Sequence, residues 1–102
     1  MTISLPVPDK ELKLLLNAML SLKTEEECAA FLEDAFTIKE IQDIAQRLEV
    51  ASLLSNKKSY QEISKETGAS TATISRVNRC LTYGSNGYHL VLERLGKIHK
   101  SE

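Results

Sequence analysis

SYQEISKETGASTATISRVNRCL, residues 59–81, has the pattern of two short helices joined by a tight turn. Ser59 with Glu62 three residues on is the reciprocal capping spacing that satisfies free amides at a helix start. Ile63 supplies an inward contact, and Gly68 suits the left-handed conformation that ends a helix and turns the chain. Ser70 or Thr71 restarts a helix whose apolar residues Ile74, Val77 and Leu81 recur at three- and four-residue steps. Such a helix-turn-helix commonly lays its second helix in the major groove of DNA. Helical hairpins without a nucleic-acid role share the same spacing, so the pattern also admits an interaction module serving a protein partner.

Working outward, the rest of the chain reads as helix, with no persuasive strand. A first helix spans about 8–23, where Leu12, Leu14, Leu15, Leu16, Ala18, Met19, Leu20 and Leu22 leave only a narrow polar strip around Lys13 and Asn17. Thr24 with Glu27 caps a second, to about 34, expected to bury Cys28, Phe31 and Leu32. Thr37 with Glu40 caps a third, to about 54. Its first half is apolar along Ile41, Ile44, Ala45 and Leu48, and its second half adds Val50, Leu53 and Leu54 on the opposite side. The segment Asn56-Lys57-Lys58 breaks before the helix-turn-helix, and Tyr83 through Gly87 forms a second break. A last helix, about 88–98, is expected to bury Leu90, Val91, Leu95 and Ile98. The expectation is an all-α, six-helix chain forming one domain over 1–102, with the helix-turn-helix at about 59–82.

The apolar arc of the first helix exceeds what one side of a small monomer needs to bury. Either the chain wraps it or a second subunit does, and short leucine-rich chains often complete a core by dimerising. A homodimer through helices at about 8–54 and 88–98 is expected. Its two-fold axis would set two reading helices about 34 Å apart, one turn of DNA.

Composition permits a nucleic-acid partner once the charge is divided. Net charge is −1 over 102 residues. Residues 1–40 carry eight acids against four lysines, whereas residues 41–102 carry six acids against nine lysines and arginines. The helix-turn-helix half therefore has a local positive field. With Ile74, Val77, Asn78 and Leu81 turned inward, the opposite arc of the second helix holds Ala72, Ser75, Arg76 and Arg79, with Thr71 at its tip. Small residues allow close approach to base edges, the Thr71 and Ala72 methyls suit a thymine methyl, and arginine grips guanine or phosphate. Tyr60, Gln61, Ser64 and Lys65 on the preceding helix suit phosphate and groove-edge contacts, with Ser70 and Thr73 completing the candidate surface on double-stranded DNA.

Other function classes fare poorly. His89 and His99 neighbour no ligand cluster, and no nucleophile elbow or glycine-rich phosphate loop is present, so neither an enzyme, a metal site nor a cofactor is expected. Glu25, Glu26 and Glu27 sit where acids favour a helix N-terminus. Cys28 and Cys80 lie in amphipathic patterns and are expected as buried free thiols. The N-terminal MTISLPVPDK lacks a secretion leader and no apolar run approaches a bilayer span, so a cytoplasmic protein without a membrane partner is expected.

FTIKEIQDIAQRLEVASLL, residues 36–54, followed by residues 59–81, resembles the tryptophan repressor superfamily, and especially its repressor-like bacterial branch. ETGAS followed by TATISR is the most specific part. The resemblance implies an intertwined all-helical dimer, operator-specific DNA binding that controls transcription, and DNA-contacting positions at Gln61, Ser64, Thr71, Ala72, Thr73 and Ser75. It also implies an effector pocket with two arginines flanking the tryptophan indole. Arg76 matches the second, and the first falls on Gln46 or Arg47. Val77 stands where that family has glycine and Cys80 where it has serine. A branched side chain there would obstruct the ligand, unless Val77 turns inward as the helical period allows. Tryptophan is not the expected effector.

Overall fold

The computed structural model describes residues 5–97, which contain six helices and no strand. They are α1 (Asp9–Ser21), α2 (Glu25–Ala35), α3 (Ile38–Ser55), α4 (Tyr60–Thr67), α5 (Thr71–Tyr83) and α6 (Gly87–Arg94). Number, order and type agree with expectation. The last helix is the exception in extent, ending at Arg94, with Ile98 and His99 outside the described residues.

The helix starts are set by side chains as the sequence implies. At α4, Ser59 Oγ accepts from the Glu62 amide and the Glu62 carboxylate accepts from the Ser59 amide, a complete capping box. Thr37 and Glu40 make the same reciprocal pair before α3. Thr24 caps α2 through the Glu27 amide, but the Glu27 carboxylate reaches back one residue further, to the Lys23 amide. Ser70 caps α5 through the Thr73 amide. Between α3 and α4, Lys57 takes a left-handed conformation with φ 64°, and Asn56 Nδ2 donates to the carbonyls of Ser52 and Lys97.

The chain divides into two compact units, residues 1–41 and residues 42–102. The second holds the core. Val50 and Ala51 of α3, Ile63 of α4, Ala69 of the turn, Ile74 and Val77 of α5 and Leu92 of α6 are buried together. Leu48, Leu53, Leu54, Leu81 and Tyr88 pack around them. Each fully buried aliphatic side chain of this size contributes on the order of 1.5–3 kcal/mol. His89 Nε2 lies 3.0 Å from the Leu81 carbonyl oxygen, joining α6 to the end of α5.

Three burial expectations are corrected. In α6 the inward residue is Leu92, while Leu90, Val91 and Leu95 are exposed, because Tyr88 and Leu92 at i and i+4 define the buried stripe. Asn78 is exposed, since the inward arc of α5 is narrow and an amide stays in water at lower cost than it is buried. Cys28 and Cys80 are free but exposed: α2 buries no side chain fully, and Cys80 falls off the buried stripe that Ile74 and Val77 define on α5. In the first unit α1 and α2 bury no residue fully, and Phe31 and Leu32 are only half-buried. Leu14 and Leu20 of α1 are 72% and 82% exposed.

Two consequences are measurable. Gly68 ends α4 at φ 75°, with nothing near a would-be Cβ, so the cost of a side chain there is purely one of backbone. Gly68→Ala should lower stability by about 1–2 kcal/mol, read by urea denaturation. Folding also lowers the Glu62 carboxyl pKa below its ordinary 4.5, chiefly through the Ser59 backbone hydrogen bond, then the Ser59 hydroxyl and Lys58. Its stabilisation is therefore complete above the unfolded value and lost as pH falls through the folded one. Glu62→Gln should flatten the fall in melting temperature as pH drops below the ordinary carboxyl value of 4.5.

Candidate nucleic-acid interface

The surface expected to meet DNA is built by the two helices that the core pins together. Ile63 on α4 and Ile74 and Val77 on α5 are at most 1% exposed. Fixing these inward residues points the opposite faces outward, because a helix cannot rotate without withdrawing its buried stripe. Thr71, Ala72, Ser75, Arg76 and Arg79 are all exposed on α5, as their spacing implies. Residues 72, 75, 76 and 79 follow three- and four-residue steps and share one face.

Tyr60, Gln61, Ser64 and Lys65 of α4 converge with Thr71 of α5 around one open groove of about 510 Å³. Five residues chosen from periodicity thus line a single concavity, with a cation, an amide, hydroxyls and an aromatic ring. Lys65 lies in the last turn of α4, where its charge also suits the helix dipole. Lys58 stands 4.0 Å from Glu62, an exposed i,i+4 pair of small energetic weight.

The turn is held by side chains whose hydroxyls look free in the sequence. Ser64 Oγ donates to the Ala69 carbonyl at 2.9 Å. Thr67 Oγ1 donates to the Ile63 carbonyl at 2.7 Å and accepts from the Ala69 amide at 3.1 Å. Ser64 lines the groove, but its proton is engaged in the turn, which leaves an oxygen lone pair for an outside donor. Thr73 is half-buried, and Ser70 Oγ donates to Thr73 Oγ1. Ser70 and Thr73 thus build the start of α5. Thr67 escaped sequence reading, although a threonine immediately before a turn glycine is a known signal for local backbone bonding.

The residues assigned to an effector pocket do not surround either of the two grooves described. Gln46 is half-buried and donates from Nε2 to the Thr67 carbonyl at 3.1 Å. Arg47 is half-buried, and Arg76 and Cys80 are exposed. Val77 belongs to the core, at 1% exposure. The steric objection that Val77 would obstruct a ligand is therefore withdrawn: its isopropyl group packs inward, and cannot also project into a surface pocket. A second groove, about 350 Å³ and mainly apolar, is lined by Ala45, Leu48, Glu49 and Ser52 of α3 with Leu92, Leu95 and Lys97.

Among the described residues no three histidines, cysteines or carboxylates are placed to hold a metal ion, and no helix is long and apolar enough to cross a membrane.

Comparison with known proteins converges on one family. The model of the family described as Trp repressor protein matches residues 10–96. The uncharacterised protein YerC of Bacillus subtilis (strain 168) is 57% identical over 86 residues, covering 84% of this chain and 83% of that protein. A TrpR-like protein from Eubacterium eligens ATCC 27750 superposes with a TM-score of 0.84 at 50% identity, over 89% of this chain and 94% of that one. A candidate Trp repressor from Staphylococcus aureus superposes with a TM-score of 0.86 at 41% identity, over 91% and 93%. A family model spanning five of the six helices entirely and nearly all of α1, joined to close structural likeness at substantial identity, makes this chain a member of the Trp repressor family.

Proposed function

We propose that this protein is a sequence-specific DNA-binding regulator of transcription, working in the cytoplasm as a homodimer and not responsive to tryptophan. The observation that carries the DNA reading is the convergence of Tyr60, Gln61, Ser64, Lys65 and Thr71 on one groove beside the exposed face of α5. On this reading α5 enters the major groove. Thr71, Ala72 and Ser75 approach base edges, and Arg76 and Arg79 take guanine or phosphate. Tyr60, Gln61 and Lys65 fix the register on the backbone, which supplies affinity without sequence information. Membership of the Trp repressor family supports the same assignment.

The dimer reading is supported by apolar surface left open in both units. Leu14, Leu16, Met19 and Leu20 of α1 and Ile38 of α3 are between 46% and 82% exposed, and Leu90 and Val91 of α6 with Leu95 at its C-cap are between 42% and 63%. Isolated exposed leucines are ordinary, but helices that carry several side by side need a cover. The tryptophan reading rests on Gln46, a neutral side chain engaged by the turn at one of the two positions matching the family's first pocket arginine, and on Cys80.

Three measurements check these statements. Selection of bound fragments from a random duplex pool should enrich a partly palindromic site, with affinity falling steeply as salt rises. Arg76→Ala or Arg79→Ala should then cost about 1–3 kcal/mol where the arginine reads a base. A pool that enriches no sequence would favour a protein-interaction module. Sedimentation at micromolar concentration should give a dimer, and Leu20→Glu, harmless to a monomer at such exposure, should destabilise the fold by at least about 2 kcal/mol. Calorimetry with L-tryptophan should detect no micromolar binding. A binding isotherm coupled to tighter DNA affinity would reverse that expectation.

A further inference from the structure

We propose that Gln46 is a positioning residue for DNA recognition: its amide ties the turn of the helix-turn-helix to α3 and holds α5 ready without an effector. The inference rests on the DNA-binding reading above. Thr67 is the last residue of α4, and its carbonyl is one of the terminal acceptors that no helix amide satisfies. Gly68 then turns left-handed, carrying the chain away from the helical donors. Gln46 Nε2, 21 residues earlier in sequence, donates to that carbonyl at 3.1 Å in a half-buried setting.

The leverage comes from where the bond lies on α3. Val50 and Ala51 anchor α3 in the shared core with Ile63, Ile74 and Val77. Gln46 is four residues before Val50, on the same side of the helix and about 6 Å further along its axis. Leu48, Leu53 and Leu54 of α3 pack around the same cluster, and non-directional aliphatic contacts of this kind leave the helix free to roll and slide slightly. A directional hydrogen bond at a second point, displaced along the axis, removes that freedom.

The restraint is transmitted because the turn is internally stiff. Thr67 Oγ1 spans from the Ile63 carbonyl to the Ala69 amide, and Ser64 Oγ closes on the Ala69 carbonyl. Ala69 is itself 2% exposed in the core, and Ser70 follows directly as the cap of α5. Fixing the Thr67 carbonyl therefore fixes the point from which the reading helix departs. An effector is a second means of setting such an angle, and a covalent part of the chain that sets it already makes an effector dispensable.

The test uses the full chain and a duplex selected by the wild type. Gln46→Met keeps the length of the side chain and removes the donor. Its melting temperature should stay near the wild-type value while DNA affinity falls about three- to tenfold and exchange of the Ala69 amide quickens. Gln46→Lys, which restores a donor, should recover slow Ala69 exchange, a readout that its added charge on DNA binding does not confound. Gln46→Ala provides a second donor-free chain should the thioether repack, with the same loss expected. If the donor-free variants bind the duplex as tightly as the wild type and exchange alike, Gln46 positions nothing and the inference fails while the DNA reading stands. If the wild type enriches no duplex, the DNA reading fails and takes the inference with it.

Discussion

Burial of four side chains from α4, the turn and α5 against α3 and α6 is the constraint from which the rest of the second unit follows. Ile63, Ala69, Ile74 and Val77 meet Val50, Ala51 and Leu92 with almost no exposure. The two short helices are eight and thirteen residues long, and α4 at least is too short to persist alone in water. Their stability is tertiary. Because the buried stripe is narrow, the outward face of α5 is its geometric complement, and the candidate DNA surface exists only as the reverse side of this small core.

Polar groups divide between building that device and facing outward. Serine and threonine hydroxyls near a helix start serve equally as caps, as turn staples and as contacts to nucleic acid, and a sequence does not say which. Here Ser59 and Ser70 cap, Thr67 staples the turn, and Ser64 does so while also lining the groove. Thr71 and Ser75 remain exposed on α5. The proposed reading therefore leans on fewer hydroxyls than sequence spacing offers, and more on the amide of Gln61 and the cations Lys65, Arg76 and Arg79.

The first unit has the opposite economy. Thirteen residues of α1 and eleven of α2 contain no fully buried side chain, although α1 is mostly leucine and other apolar residues on most of its circumference. Such a surface is costly in water at roughly 25 cal/mol per Å². That imbalance makes a second copy the natural cover within the proposed dimer. The same proposed dimer would cover the apolar groove and the exposed Leu90 and Leu95 of the second unit.

Local chemistry was readable in advance because its range is short. The Ser59 and Thr37 capping boxes, the left-handed Gly68, the six helices and the burial of Ile63 and Ile74 all follow from interactions within four residues, or from a 3.6-residue period that tolerates one inward stripe. Where a helix carries apolar residues on several sides, period alone does not rank them. Leu92 rather than Leu90 or Val91 is inward because of where α6 meets the core, which is set by elements far away in sequence. Val77 could equally have met a ligand until its neighbours placed it inside. Gln46 read as a pocket position by resemblance, and its bond to Thr67 spans 21 residues. No local rule reaches that distance, since only the packing of α3 against the helix-turn-helix brings donor and acceptor together.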